Sequence, residues 1–219
     1  MPTGQQTNDL IHAQVVYYTS YTNSKAVAET IASILKASGK VHPGMEVNGI
    51  RAVTPGEVLE EPPHLVVIGG PIQHGTRFAK PLLKWLKSLD KEAEKANWDG
   101  AVLVFFTHKF KKMCDEAIGN TKQVLRDLGH LQPLVFKKLL HLHVMDTRGP
   151  LESGYREEIE SIVAGLLATV EPKVRKQKER VDEALKGMVE SMDAKLTDQE
   201  RQNNAKGIIT DTPSKEEKK

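Results

Sequence analysis

Two apolar runs without polar alternation, Leu65–Gly69 (LVVIG) and Ala101–Thr107 (AVLVFFT), constrain this chain most. A strand with no polar face must be covered on both sides, and parallel sheets flanked by crossover helices provide that cover. Ala13–Thr19 (AQVVYYT) and Leu139–Met145 (LLHLHVM) are two further short apolar and β-branched runs, and Val47–Val53, closed by Thr54-Pro55-Gly56, makes a fifth with the least apolar pattern, as an edge strand can have. The segments between them carry helical spacing. Val27, Ile31, Ile34 and Leu35 share a face of Ser24–Ala37, which Gly39 stops, and Phe78, Leu82, Leu83, Leu86 and Leu89 share a face of Arg77–Leu89. A shorter helix is expected over Asn120–Leu128 before Gly129, and Glu152–Val170 aligns Ile159, Ile162, Val163, Leu166, Leu167 and Val170. Helix two is short or absent within Thr54–Pro62.

Five strands alternating with helices predict an α/β fold, a doubly wound parallel sheet. Right-handed crossovers and short connections make the five-stranded order 2-1-3-4-5 the expected one. Residues 1–9 read as a flexible N-terminus and 10–170 as the domain. After Val170 no aromatic residue occurs, and 12 Lys+Arg stand beside 11 Asp+Glu. Val174, Val181, Leu185, Met188, Met192 and Leu196 make a narrow apolar stripe over Pro172–Leu196, so 171–200 is expected to be a charged helical extension. It reads as a solvated helix, or as a helix for a partner or for self-association into a homo-oligomer. Residues 201–219 read as disordered.

Composition excludes several function classes. The single cysteine, Cys114, rules out an intramolecular disulfide framework or a multi-cysteine cluster held by one chain, and suits a reducing compartment. The formal net charge of +2 comes from charges of both signs with no basic face, which gives nucleic-acid binding little support. Met1–Asp9 is polar, and no apolar run approaches the ~18 residues of a membrane span. A cytoplasmic location without a transmembrane segment is expected. The chain has no serine nucleophile elbow and no P-loop lysine, and its first loop lacks G-x-G-x-x-G.

In an open parallel sheet, ligands bind beyond the carboxyl ends of the strands, at the switch point. The loops there are 19–24, 70–75 and 107–114. The first brings Thr19, Ser20, Thr22 and Ser24, with the Asn23 amide, immediately before a helix whose N-terminus favours an anion. Such hydroxyls suit a phosphate monoester held by hydrogen bonds; they also suit a plain Ser/Thr-rich N-cap.

V-V-Y-Y-T-S-Y-T-N-S-K-A-V-A-E (residues 15–29) resembles the opening strand and phosphate loop of the flavodoxins, S/T-x-T-G-x-T/S followed by a helix with A-E. Thr19, Ser24, Ala28 and Glu29 fit in register. Tyr21 stands where the family has Thr, and Thr22 where it has Gly. A β-branched residue disfavours positive φ, so this loop is expected to take a shape of its own. V-V-I-G-G-P-I-Q-H-G-T-R-F-A-K-P-L (residues 66–82) resembles the G-x-P-I/V-x-x-G loop of the flavodoxin-domain branch that includes menaquinone-dependent protoporphyrinogen dehydrogenases.

The resemblance implies noncovalent FMN bound by the first loop and by Pro71, Ile72, Gln73, His74 and Gly75, with Ile72 to His74 beside the flavin ring, Pro71 stiffening the turn and Gly75 allowing close backbone approach, and with Thr107, His108, Lys109 and Phe110 in the other flanking loop. Stacking would fall to Phe110 or His108, because the third loop has no Trp or Tyr. Lys109, Lys111 and Lys112 read as a positive rim favouring an anionic reduced flavin, an acidic partner or a carboxylate, or as an ordinary solvated loop. His141, His143 and Asp146 offer a conceivable metal group, but position in the fold does not make ligands converge, so no metal is expected. Cys114 reads as a small buried hydrophobe.

The expected function is that of an FMN-dependent oxidoreductase or electron-transfer flavoprotein, working with a redox partner protein or a small quinone-like acceptor. Oxidoreductase is favoured because carrier flavodoxins are characteristically acidic. The alternative is a flavodoxin-fold binding or scaffold module that has lost FMN. No catalytic residue is legible.

Overall fold

The computed structural model describes residues 10–146 and 148–207. The expectations for residues 1–9, and for the tail from 208 onward, lie outside them. Five strands run parallel: β1 (Ala13–Tyr17), β2 (Glu46–Gly49), β3 (Leu65–Gln73), β5 (Ala101–His108) and β6 (Leu140–His143). A sixth, β4 (Arg77–Phe78), pairs antiparallel with the end of β3. The order β2-β1-β3-β5-β6 is the expected 2-1-3-4-5 once the two-residue β4 is set aside.

Alternation along each strand separates the two cores. Val15, Val67 and Leu103 are in register on β1, β3 and β5 and enter one layer, while the next residues, Val16, Ile68 and Val104, enter the other. The first layer is completed by α1 (Asn23–Ala37), through Val27, Ile31 and Leu35, and by the start of α5 (Tyr155–Gly207), through Ile159, Ile162, Val163 and Leu166. The second is completed by α2 (Pro55–Glu60), α3 (Lys80–Lys95) and α4 (Cys114–Arg126), through Val58, Leu82, Trp85, Leu86, Leu89 and Leu125. Shortening a fully buried Leu or Ile among these to Ala costs about 2–5 kcal/mol. Gly69 sits where β3 packs on β5: a Cβ there would lie 2.2 Å from the Phe105 carbonyl oxygen.

Element ends differ from the expected ones for local reasons. Arg77 and Phe78 are strand, not the start of a helix, because the chain turns back at His74 (φ 49°) and Gly75 (φ 81°) and pairs Gln73 with Arg77 and Ile72 with Phe78. Helix α3 then begins at Lys80, with Pro81 in its first turn, where a missing N–H costs nothing. Helix α4 begins at Cys114, well before Asn120, after a 3-10 turn over Lys111–Met113. Its buried face starts at Ala117 and Thr121, which carry little apolar signal. Helix α2 is real though short, held by a capping box in which Thr54 and Glu57 exchange hydrogen bonds.

Two compact units divide between Val174 and Arg175. In the second, Val181, Leu185, Met188, Val189 and Met192 are each more than half exposed. Helix α5 continues through Pro172. Among the described residues no helix is long and apolar enough to cross a membrane.

Candidate functional site

The carboxyl ends of β1, β3 and β5 deliver their loops to one cavity of about 580 Å³. It is lined by Ser20, Tyr21, Asn23 and Ser24, by Pro71, Ile72, Gln73, His74 and Gly75, and by Thr107, His108, Lys109 and Phe110. Of the expected site residues only Thr19 and Thr22 are outside this lining. Tyr21, Met113 and Val144 belong to it and were not expected. Tyr21 stands among hydroxyls in a loop whose sequence signal is one of hydrogen bonding, and Met113 and Val144 carry no chemical signal in sequence.

Thr22 is the N-cap of α1 in ordinary right-handed geometry, φ −64°, so the loop meets its β-branched residue without positive φ. Its side chain makes no cap hydrogen bond. The helix N-terminus therefore faces the cavity without a side-chain anion surrogate of its own. Thr19 Oγ1 is buried with no hydrogen-bond partner. Ser24 Oγ and Thr107 Oγ1 lie 2.9 Å apart and join α1 to β5, with Ser24 only 1% exposed. Gln73 Nε2 donates to Ser20 Oγ at 3.4 Å, linking the first two loops, and Asn120 Nδ2 donates to the Thr76 carbonyl at 3.2 Å, bracing the turn between β3 and β4 from α4.

Two large aromatic side chains stand open at this cavity, Tyr21 at 46% and Phe110 at 53% exposure, on different loops. The Arg148 guanidinium lies 5.7 Å from the Tyr21 ring centroid. His108, expected as a possible stacking ring, is instead buried among Phe106, His141 and His143.

The expected positive rim is largely neutralised. Lys109 Nζ lies 2.6 Å from Asp146 Oδ1, and Lys111 pairs with Glu152, which also has an oxygen 3.4 Å from His143 Nδ1. Both acids come from the segment after β6, remote in sequence. The hydrogen bond from Lys111 holds the Glu152 carboxyl below its usual range, helped by the Lys111 charge against a smaller effect of burial.

His141, His143 and Asp146 do not converge. Asp146 is taken by Lys109, and His143 Nε2 meets the Lys109 carbonyl at 2.9 Å. His108, Cys114 and His141 converge instead. Burial pushes His108 down, reinforced by His141 and His143 against the Phe110 backbone and Glu152. Burial, then Asp115 and Glu158, push the Cys114 thiol up. Both directions favour the neutral imidazole and the thiol over a thiolate–imidazolium pair.

The lining suits a flat heterocycle that carries a phosphate. Neutral hydroxyls of Ser20 and Ser24 and the Asn23 amide, at a helix N-terminus without a side-chain cap, match a phosphate monoester. Open aromatic rings match a flat heterocycle, and the cavity volume is in the range of small-molecule sites, about 300–1,000 Å³.

Among solved structures, a short-chain flavodoxin associated with a non-canonical PDU bacterial microcompartment matches with a TM-score of 0.53 at 12% identity, over 74% of this chain and 99% of its own. A WrbA-like flavodoxin from Agrobacterium tumefaciens matches at 0.46 and 13%, over 76% of this chain and 98% of its own. A flavo di-iron protein variant from Thermotoga maritima matches at 0.47 and 14%, over 76% of this chain and 38% of its own. No protein-family model and no curated protein matches the sequence. The likeness at 0.53 is one of fold: the chain has a flavodoxin-like α/β fold.

Proposed function

We propose that this chain is an FMN-dependent oxidoreductase or electron-transfer flavoprotein, with the flavin in the cavity at the ends of β1, β3 and β5. The observation that carries the reading is the pair of open rings, Tyr21 and Phe110, lining a cavity that also holds the uncapped start of α1. Exposing large aromatic surface costs solubility without benefit unless a ligand or partner covers it.

In this reading Ser20, Asn23 and Ser24, with Thr19 and Thr22 of the same loop, hold the phosphate. Pro71 to Gly75 run along one side of the ring, where the strained His74 and the small Gly75 bring the backbone close, and Thr107 to Phe110 bound the other. Bound FMN supplies reversible one- and two-electron redox chemistry, and the chain orients it and screens it from water. The unit concerned is residues 10–170, with 171–200 as a helical extension. The resemblance of residues 66–82 to the menaquinone-dependent protoporphyrinogen dehydrogenases favours a small quinone-like acceptor over a redox partner protein, in a cytoplasmic setting.

The test is the visible spectrum of freshly purified protein, with release and identification of any chromophore. A yellow protein that releases FMN, and that binds riboflavin far more weakly, supports the proposal. A colourless protein that takes up no added FMN supports a scaffold module on the same fold.

A further inference from the structure

We propose that His108, Cys114 and His141 form a binding site for a zinc-class ion beside the cavity. The three residues come from β5, the first position of α4 and β6. Cys114 Sγ lies 3.5 Å from His108 Nε2 and 3.7 Å from His141 Nδ1, and the three donor atoms lie within 4.8 Å of one another. A tetrahedral ion holding sulfur at about 2.3 Å and imidazole nitrogen at about 2.05 Å sets those two atoms about 3.6 Å apart. Both sulfur–nitrogen distances are therefore close to those such an ion imposes.

The sulfur contacts both imidazole nitrogens, with donor roles set by the tautomers, and an ion replacing the thiol proton would be ligated by all three atoms. The two rings are oriented in advance: His141 stacks on Phe106 at 5.9 Å between centroids, and His108 leans on the same ring at 5.9 Å. One thiolate with two imidazoles selects a borderline-soft ion such as Zn²⁺ over Mg²⁺ or Ca²⁺, which take oxygen donors. Three protein donors leave one position open, as catalytic zinc sites do. Because His108 also lines the cavity, an ion here would be coupled to whatever the cavity binds. The site stands without the flavin assignment.

The experiment is titration of the reduced full-length chain with Co²⁺, read by difference spectra. Cys114 is the only cysteine, so a sulfur-to-cobalt charge-transfer band reports this site. The expected result is one cobalt per chain with that band, displaced by Zn²⁺. The band should be unchanged in His42→Gln, which alters a separate histidine group at the other end of the sheet. Affinity should fall about a hundredfold or more in Cys114→Ser, His108→Gln and His141→Gln, beyond the 10–100-fold typical of outer-shell changes. Zinc should also raise the melting temperature of the wild type and not that of Cys114→Ser, and metal-free melts separate a lost site from a lost fold. A reduced wild type without the sulfur band, or a band that survives both histidine substitutions, overturns the proposal. So does cobalt uptake that persists in Cys114→Ser at wild-type affinity, which traces to other histidines.

Discussion

Ser24 and Thr19 sit a few residues apart in one loop, yet their hydroxyls have opposite status, and that difference separates ligand effects from stability effects. The Ser24 hydroxyl is hydrogen-bonded to Thr107 in a buried setting, whereas the Thr19 hydroxyl has no partner. Ser24→Ala should therefore lower the unfolding free energy by about 1–2 kcal/mol, and adding Thr107→Val should restore most of it, because removing both partners costs far less than orphaning one. Urea unfolding of the two single variants and the double variant measures this; additive losses would contradict it. Thr19→Val should leave the fold as stable as before and weaken FMN binding by about 1–2 kcal/mol, read by fluorescence titration. His108 gives a pH prediction. Burial holds it below its ordinary 6.5, so the unfolded chain takes up a proton there first. The stability tied to its neutral ring is present above about pH 6.5 and is lost as the pH falls toward the folded-state value. Burial and His12 lower His64 against Asp99, which adds in the same direction. The wild type should thus lose stability more steeply than His108→Gln on acidification from about pH 7 to 5. Equal slopes would assign the effect to other groups.

At the scale of elements, α5 holds the clearest conflict between local preference and observed structure. Pro172 is inside the helix, where it removes one backbone hydrogen bond and crowds the preceding turn. The side chain is exposed, so replacement disturbs no core packing. Pro172→Ala should raise helical circular dichroism and add up to about 3 kcal/mol of stability. A loss of stability would contradict this. The same helix shows where reading by pattern stops: Pro172 marks a break in sequence, and the structure carries the helix across it. Helix α4 shows the converse, since Ala117 and Thr121 on its buried face are too small or too polar to announce a core stripe. Helix α2, expected to be short or absent, is too short for periodicity to reveal, and its capping box of Thr54 with Glu57 emerges only in the structure.

For the whole molecule, both hydrophobic layers lie within the first unit, and the layer shared by α1 and α5 closes at Val170 and Val174. A chain ending just after Val174 should therefore keep its melting temperature within a few degrees and keep its cofactor affinity. Ending it before Val174 removes a core side chain and should cost more. Insolubility of the longer truncation would show that residues from Arg175 onward take part in an obligate interface. The sheet, its order and the position of the three loops were readable from the chain alone, because a strand buried on both faces leaves an unbroken apolar run and a helix packed on one face leaves a 3.6-residue stripe. Those signals are local. Three features of the site were decided only by tertiary structure: the neutralisation of Lys109 and Lys111 by Asp146 and Glu152, the presence of Tyr21 and Phe110 in the lining of one cavity, and the meeting of His108, Cys114 and His141. Each depends on side chains from elements far apart in sequence, whose distances are set by crossover connections and strand register and leave no mark in the pattern of any one segment.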